Sequence, residues 1–194
     1  PLSIGVYSVK KAGFIKDQDI AILGFGPIGM SVMLAAKPKH PSSIFVTDKI
    51  DSRLALAEKE KAFQTGNPQK QDIVKEILNS KPYGLDLVFE CCGQQDAVNQ
   101  AVEVLKPGGR LVIVGIPEFD KWTLDVDKTR RKEISIQFIR RQVNCVEDSI
   151  SMMADGTIDV SNMATHRFPF EKTKEAFDLV DGYHDGVMKA MIDF

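Results

Sequence analysis

Three closely spaced glycines mark a turn that could bind phosphate groups through its backbone. Gly24, Gly26 and Gly29 form a G-x-G-x-x-G sequence, which follows an apolar run and precedes a run of good helix formers. In such a turn the first glycine makes the tight bend, the second leaves room for a pyrophosphate, and the third lets the helix lie close to the strand. The order of strand, glycines and helix therefore predicts a dinucleotide site.

The residues after Gly26 are suited to begin that helix. Pro27 fits the first helical position, where a missing N–H group costs nothing. The N–H groups of the first turn, from Ile28 onward, then face the phosphates, with the positive end of the helix dipole behind them. The turn thus offers both hydrogen-bond donors and a favourable field for an anion.

An acidic residue indicates which dinucleotide the turn prefers. Asp48 ends the second apolar run, about 20 residues after the last glycine. A carboxylate at this position accepts hydrogen bonds from the adenosine ribose and repels a 2′-phosphate, which favours NAD over NADP. Lys49 and Arg53 follow closely and would weaken that repulsion, so both are included among the predicted cofactor-binding residues.

Apolar runs alternate with helical patterns along residues 1–150. The predicted strands are 20–23, 44–46, 85–90, 110–114 and 134–139, and the predicted helices are 2–12, 30–36, 50–63, 71–78, 94–105 and 146–154. Such alternation is typical of βαβ units and a parallel sheet. With right-handed crossovers it predicts an α/β, doubly wound fold.

The alternation ends near Pro117. The segment from Trp122 to Val126 alternates strictly between apolar and polar residues, which predicts an edge strand with one apolar side. Pairing of this strand with its copy across a two-fold axis would bury that side, so a homodimer is expected. The basic run from Lys128 to Lys132 is interpreted as a solvated helix end. A helix at 171–180 and a strand at 187–194 are predicted to follow.

The composition excludes several classes of protein. The 194 residues are 43% hydrophobic, which is sufficient for one domain with an appendage. A net charge of −2 gives no general attraction to nucleic acid or to an anionic membrane. No apolar run approaches the roughly 18 residues of a membrane helix, and no signal peptide is recognised. The three cysteines lack metal-type spacing, so reduced thiols and a cytoplasmic location are expected.

Together these motifs resemble the zinc-containing medium-chain alcohol and polyol dehydrogenases, nearest to the sorbitol dehydrogenase branch. The similar segments are PLSIGVYSV, LGFGPIG, VTDKIDSR, VFECCG, LKPGGRLVIVGIP and THRFPFEKTKEAFDLV, which span essentially the whole chain. The resemblance implies an NAD-binding Rossmann fold at residues 1–150 and, at 151–194, a segment that returns to a catalytic domain. It also implies that this chain is a piece of a longer protein, whose zinc ligands would precede Pro1.

The resemblance assigns roles to residues at the adenosine end of the cofactor. Asp48 corresponds to the ribose-binding acid, and Arg53 to the basic residue beside it. Cys91 and Cys92 stand where the family lines its adenine pocket. Lys189 matches a late basic residue that can reach the pyrophosphate.

The resemblance also implies a nicotinamide end. Val114, Gly115 and Ile116 match a stretch whose backbone holds the nicotinamide carboxamide. Ile139 and Arg140 lie opposite that stretch in the family, and Arg140 resembles an arginine near both cofactor and substrate. These residues complete the predicted cofactor site.

The implied reaction needs groups that this chain is not predicted to supply. Full-length relatives bind an alcohol to zinc and pass a hydride to the nicotinamide. His40, His166 and His184 have no metal-type partner nearby in the sequence, so neither a metal site nor a catalytic residue is predicted. The chain alone is expected to bind NAD(H) and to leave small alcohols and polyols unchanged.

Two other functions share part of these features. A regulatory domain that senses NADH would contain the unit from Gly24 to Asp48 but would not need the THRFPFEK segment. A methyltransferase also ends its second strand in a ribose-binding acid, although its glycine loop usually lacks the third glycine and its sheet ends in an antiparallel hairpin. Titrations with NADH and S-adenosylmethionine distinguish the three functions.

Overall fold

A parallel sheet of six strands organises the computed structural model, which describes all 194 residues. The strands are β1 (Asp19–Leu23), β2 (Ser43–Thr47), β3 (Gln64–Gly66), β4 (Leu85–Glu90), β5 (Leu105–Ile113) and β6 (Ser135–Phe138). Their spatial order is β3-β2-β1-β4-β5-β6, with every neighbouring pair parallel. This is the order of the doubly wound dinucleotide-binding fold, so the predicted fold class is confirmed.

Helices follow most of the strands, and a smaller sheet lies near the C-terminus. The helices are α1 (Leu2–Ala12), α2 (Pro27–Ala36), α3 (Asp51–Lys59), α4 (Ile73–Ser80), α5 (Gln95–Val104), α6 (Val126–Arg131), α7 (Val146–Ala154) and α8 (Thr173–Asp181). The smaller sheet pairs β7 (His166–Pro169) with β8 (Ala190–Asp193) in parallel. No helix is long and apolar enough to cross a membrane.

The central strands of the large sheet are buried on both faces, to which their successive residues point in turn. Along β1, Ile20 and Ile22 belong to one buried cluster, whereas Ala21 and Leu23 belong to the other. The first cluster contains residues of α1, α2 and α3, and the second contains residues of α4 and α5. Burial on both faces explains why the central strands are continuous apolar runs.

The segment from Trp122 to Val126 is not a strand, so this prediction is wrong. The side-chain amide of Gln95 occupies both backbone groups of Thr123: it accepts from the N–H group at 2.9 Å and donates to the carbonyl at 2.7 Å. These two bonds replace the pairing that a neighbouring strand would have provided. The predicted dimer, formed by pairing this segment with its copy, would therefore lack the strand that it requires.

Other contacts within the chain account for the apolar alternation of the segment. Trp122 packs edge-on against Phe119, with ring centroids 4.7 Å apart. Asp125 is the N-cap of α6 and accepts a hydrogen bond from the Lys128 N–H group at 3.0 Å. Trp122 and Leu124 also pack against the second buried cluster, so the alternating pattern reflects contacts with the core of the same chain followed by a helix start.

The basic run forms a helix end, as predicted. The Lys132 ammonium donates to the carbonyls of Val102, Glu103 and Leu105 at 2.7–2.9 Å, where α5 ends. A cation at this position satisfies carbonyls that a helix leaves unpaired and complements its dipole. Lys128, on α6, pairs with the carboxylate of Glu103 on α5. The run therefore connects α6 to α5.

The C-terminal segment packs on the same side of the sheet as α1. Ile158, Met163 and Met188 are buried in the cluster that contains Val6 and Val9 of α1. The predicted helix at 171–180 is α8, and the predicted last strand is reduced to β8. The boundary at residue 150 between a cofactor domain and a returning segment stays a prediction.

Candidate dinucleotide-binding site

The glycine turn lies between β1 and β4, where the strand order reverses. Gly24 follows β1 with φ +94°, and a Cβ there would come 2.7 Å from the Cβ of Cys92. A Cβ on Gly29 would come 1.9 Å from the carbonyl oxygen of Gly24. No side chain fits at that distance, so α2 can lie directly on the turn only because residue 29 is glycine. Open α/β sheets bind ligands at this point.

Gly26 has a different environment. Its φ of −74° and ψ of −169° are available to any residue, and a Cβ there would meet only the Arg53 side chain, at 3.5 Å. The folded chain therefore has room for a side chain at this position. A bound pyrophosphate would need that room, which is the role predicted for the second glycine.

The start of α2 leaves donors free near Gly26. Pro27 is its first residue, and the first backbone hydrogen bond runs from the Met30 N–H group to the Gly26 carbonyl at 2.9 Å. The N–H groups of Ile28 and Gly29, which precede it, make no backbone hydrogen bond. Free N–H groups and the helix dipole together favour an anion at this end.

Asp48 is buried at the end of β2, beside the turn. One carboxylate oxygen accepts from the Phe25 N–H group at 2.6 Å, and the other accepts from the Ile50 N–H group at 2.9 Å. Each oxygen retains a lone pair for a further donor. The carboxylate therefore shapes the glycine turn, a role that the sequence did not predict, whereas its contact with a ribose stays a prediction.

Arg53 provides a buried donor next to this carboxylate. Its Nη1 lies 3.8 Å from Oδ2 of Asp48, and its Nε is buried without a hydrogen-bond partner. A buried unpaired donor is uncommon in folded proteins, and an anionic ligand at the turn would supply the acceptor. Lys49 is exposed, and its carbonyl accepts from the Asn67 side chain at 3.0 Å.

A second carboxylate, which the sequence analysis missed, shapes the opposite wall. Glu90 ends β4 and is fully buried, and its Oε1 accepts from the N–H groups of Cys92 and Gly93 at 2.8 and 2.6 Å. Its Oε2 has no partner. An acidic residue directly after the apolar run from Leu87 to Phe89 was the available signal, since buried charges require specific partners.

The two cysteines of this wall are not reactive thiols. Desolvation, reinforced by the negative charge of Glu90, raises the pKa of Cys92 to about 12 and raises the pKa of Cys91 well above its usual value. Both thiols therefore stay protonated near neutral pH. Their place beside Gly24 is compatible with the predicted lining of an adenine pocket, which stays a prediction.

The predicted nicotinamide residues continue the same edge of the sheet. The N–H groups of Val114 and Gly115 donate to the Glu90 carbonyl at 2.8 and 3.0 Å. The Ile139 N–H group donates to the Ile113 carbonyl at 2.9 Å, just after β6. Two further predicted residues, Ile116 and Arg140, are exposed beside them. The structure thus brings these five predicted residues to the carboxyl ends of β5 and β6.

Lys189 stands apart from this edge. Its N–H group donates to the Thr165 hydroxyl at 3.3 Å, its carbonyl accepts from the His166 N–H group at 3.3 Å, and its side chain lies near Pro1. None of these bonds reaches the glycine turn, so its pyrophosphate role stays a prediction. No three His, Cys, Asp or Glu side chains are grouped to hold a metal ion.

The strand order and the glycine turn define a dinucleotide-binding domain of the doubly wound class. Comparison with known proteins identifies the family: the profile described as zinc-binding dehydrogenase matches residues 27–155, and the chain belongs to that family.

Sorbitol dehydrogenases are among its relatives. The protein from Bos taurus is 33% identical over 184 residues, which are 92% of this chain and 51% of the relative. The protein from Bacillus subtilis is 30% identical over 193 residues, with 99% and 55% covered. The chain therefore spans about half the length of these relatives.

Solved structures share the fold. L-idonate 5-dehydrogenase from Escherichia coli superposes with a TM-score of 0.89 at 26% identity, covering 100% of this chain and 55% of the other. Two further dehydrogenase structures, one from Sinorhizobium meliloti with NADP and one from E. coli with NADH, have TM-scores of 0.90 and 0.91 at 24% and 22% identity. The first covers 99% of this chain and 57% of the other, and the second covers 100% and 57%. At these identities the likeness of the last two shows the fold alone.

The two glycines of the turn should respond differently to alanine. We expect Gly29→Ala to lower the free energy of unfolding by about 3 kcal/mol, because its Cβ would overlap the Gly24 carbonyl. Gly26→Ala should leave it unchanged or raise it by about 0.5 kcal/mol, because its φ suits alanine. Urea unfolding of both variants is the measurement, and equal midpoints would contradict the packing described for Gly29.

Proposed function

We propose that the chain is the cofactor-binding part of an NAD-dependent dehydrogenase that oxidises a secondary alcohol or polyol. The observation that carries the proposal is the contrast within the turn, where Gly24 and Gly29 are required by packing and Gly26 is not. At this position the absence of a side chain leaves the space that a pyrophosphate would need. The names of the relatives, sorbitol and L-idonate dehydrogenases, support a polyol or a related secondary alcohol as substrate.

The residues of this chain would bind and orient the cofactor, and bound NAD supplies the hydride acceptor. The free N–H groups at the start of α2 would hold the pyrophosphate, and Asp48 would accept from the ribose hydroxyls. Val114 to Ile116, with Ile139 and Arg140, would bound the nicotinamide half, and Lys189 would approach the pyrophosphate from the C-terminal segment. In the reaction of the family a catalytic zinc would supply the Lewis acid for the alcohol, and no group of residues in this chain would hold it.

The alternatives from the sequence are less well supported. A methyltransferase sheet would end in an antiparallel hairpin, whereas β6 lies parallel to β5. An NADH-sensing domain would not need the THRFPFEK segment, yet this segment contains β7, which pairs with β8. We also propose that the protein acts in the cytoplasm and has no nucleic-acid or membrane partner. The net charge of −2 supports this part of the proposal.

A larger side chain at position 26 tests the proposed pyrophosphate site. We expect Gly26→Val to weaken NADH binding by about tenfold or more, because the branched side chain would fill the space the pyrophosphate needs. Calorimetric titration of the 194-residue chain measures the affinity. An unchanged urea midpoint is the control for folding. If this variant binds NADH as tightly as the parent, the proposed site is wrong.

The charge of Asp48 is proposed to set the preference for NAD over NADP. Asp48→Asn retains one acceptor oxygen for the two N–H groups that Asp48 accepts from, those of Phe25 and Ile50, and removes the charge that repels a 2′-phosphate. We expect the ratio of the NADPH and NADH dissociation constants to fall by about tenfold. Asp51→Asn is the matched control, since that carboxylate is 60% exposed and pairs with Lys70. Equal affinity of the parent for both cofactors would refute the proposal.

A homodimer is also proposed, formed through β6 and not through the segment from Trp122 to Val126. This strand is the outermost on its side of the sheet, and Phe138 on it is 56% exposed. Pairing two copies of β6 across a two-fold axis would satisfy its free edge. We expect Phe138→Lys to convert a dimer into a monomer with unchanged NADH affinity, measured by sedimentation. A parent chain that is monomeric at high concentration would exclude the dimer.

A further inference from the structure

The C-terminal segment reaches the cofactor site through one short turn. This turn, from Tyr183 to Gly186, lies against the start of α3, where a Cβ on Gly186 would come 3.4 Å from the Ser52 side chain. Tyr183 adopts φ +51°, a left-handed conformation that is uncommon for residues other than glycine. Its ring centroid lies 5.0 Å from Cζ of Arg53, within the range of a cation–π contact.

The guanidinium of Arg53 has few other partners. Its Nη1 is 3.8 Å from the Asp48 carboxylate, which is beyond hydrogen-bonding distance, and its Nε is buried without a partner. A Cβ on Gly26 would lie 3.5 Å from the same Nη1. The side chain is only 14% exposed. The aromatic ring therefore holds this cation over the glycine turn, between the turn and the ribose-binding acid.

We propose that Tyr183 is a positioning residue for the cofactor. Its ring keeps the Arg53 guanidinium over Gly26, where the N–H groups can donate to the phosphate nearest the adenosine. Without the ring, the guanidinium is free to pair directly with Asp48. Such a pair would remove both the phosphate donor and an acceptor for the ribose. The inference rests on the proposed function, because the ligand it concerns is NAD(H).

A set of tyrosine variants tests the role of the ring. We expect Tyr183→Ala to raise the dissociation constant for NADH by about fivefold in calorimetric titration of the chain. Tyr183→Phe should stay within about twofold of the parent, because phenylalanine also offers an aromatic face to a cation. Tyr83→Ala is the matched control, since Tyr83 is 91% exposed in the turn before β4. A loss of equal size in the phenylalanine variant would overturn the proposal.

A double-mutant cycle separates positioning from a general structural effect. In the Arg53→Gln background, Tyr183→Ala should cause no further loss of NADH affinity, because the group through which the ring acts is already absent. Additive losses would mean that Tyr183 acts by another route and would contradict the proposal.

A measurement without ligand distinguishes failure of this inference from failure of the proposed function. The proton resonance of the Arg53 Nε–H group should lie upfield in the parent and return downfield in Tyr183→Ala, because the ring no longer shields it. If the parent binds NADH while neither this resonance nor the affinity changes in Tyr183→Ala, the positioning role is refuted and the proposed function stands. If the resonance changes but the parent binds no NADH, the proposed function fails and the cofactor role of the contact fails with it.

Discussion

The close approach of α2 to the end of β1 is the constraint on which the site depends. A Cβ at Gly29 would overlap the carbonyl oxygen of Gly24, so the helix begins directly above the turn. Its first N–H groups, those of Ile28 and Gly29, make no backbone hydrogen bond and stay free at this end of α2. The same turn is fixed from both sides, because Gly24 donates to the Thr47 carbonyl and Cys91 donates to the Leu23 carbonyl, each at 2.8 Å.

Two buried carboxylates extend this constraint to the neighbouring strands. Asp48 accepts from the Phe25 N–H group of the glycine turn, and Glu90 accepts from the N–H groups of Cys92 and Gly93 in its own loop. Each bond involves a charged acceptor, which offsets part of the cost of removing a carboxylate from water. Both carboxylates thus fix the backbone of the loops that follow β1 and β4.

The features that could be predicted from sequence are those with local causes. The glycine turn and the core strands follow from residue spacing and from burial of both sheet faces, which appear in the order of residues itself. The segment from Trp122 to Val126 could not be predicted in this way. The conformation of this segment depends on Gln95, a residue distant in sequence, whose side chain forms the hydrogen bonds that a strand partner would form. The contact between Arg53 and Tyr183 gives no local signal for the same reason.

Tyr183 also links the two predicted parts of the chain, residues 1–150 and 151–194, because it contacts Arg53. Residues 151–194 resemble a segment that returns to another domain, yet they supply the ring that contacts Arg53 and three residues of the core. The contact between Arg53 and Tyr183 depends on the relative position of the two segments, because a cation–π interaction weakens as the cation leaves the ring face. If Tyr183 positions Arg53 as proposed, a displacement of residues 151–194 would therefore alter the affinity for the cofactor. Differential contact of this kind is the physical requirement for one segment to sense what the other binds.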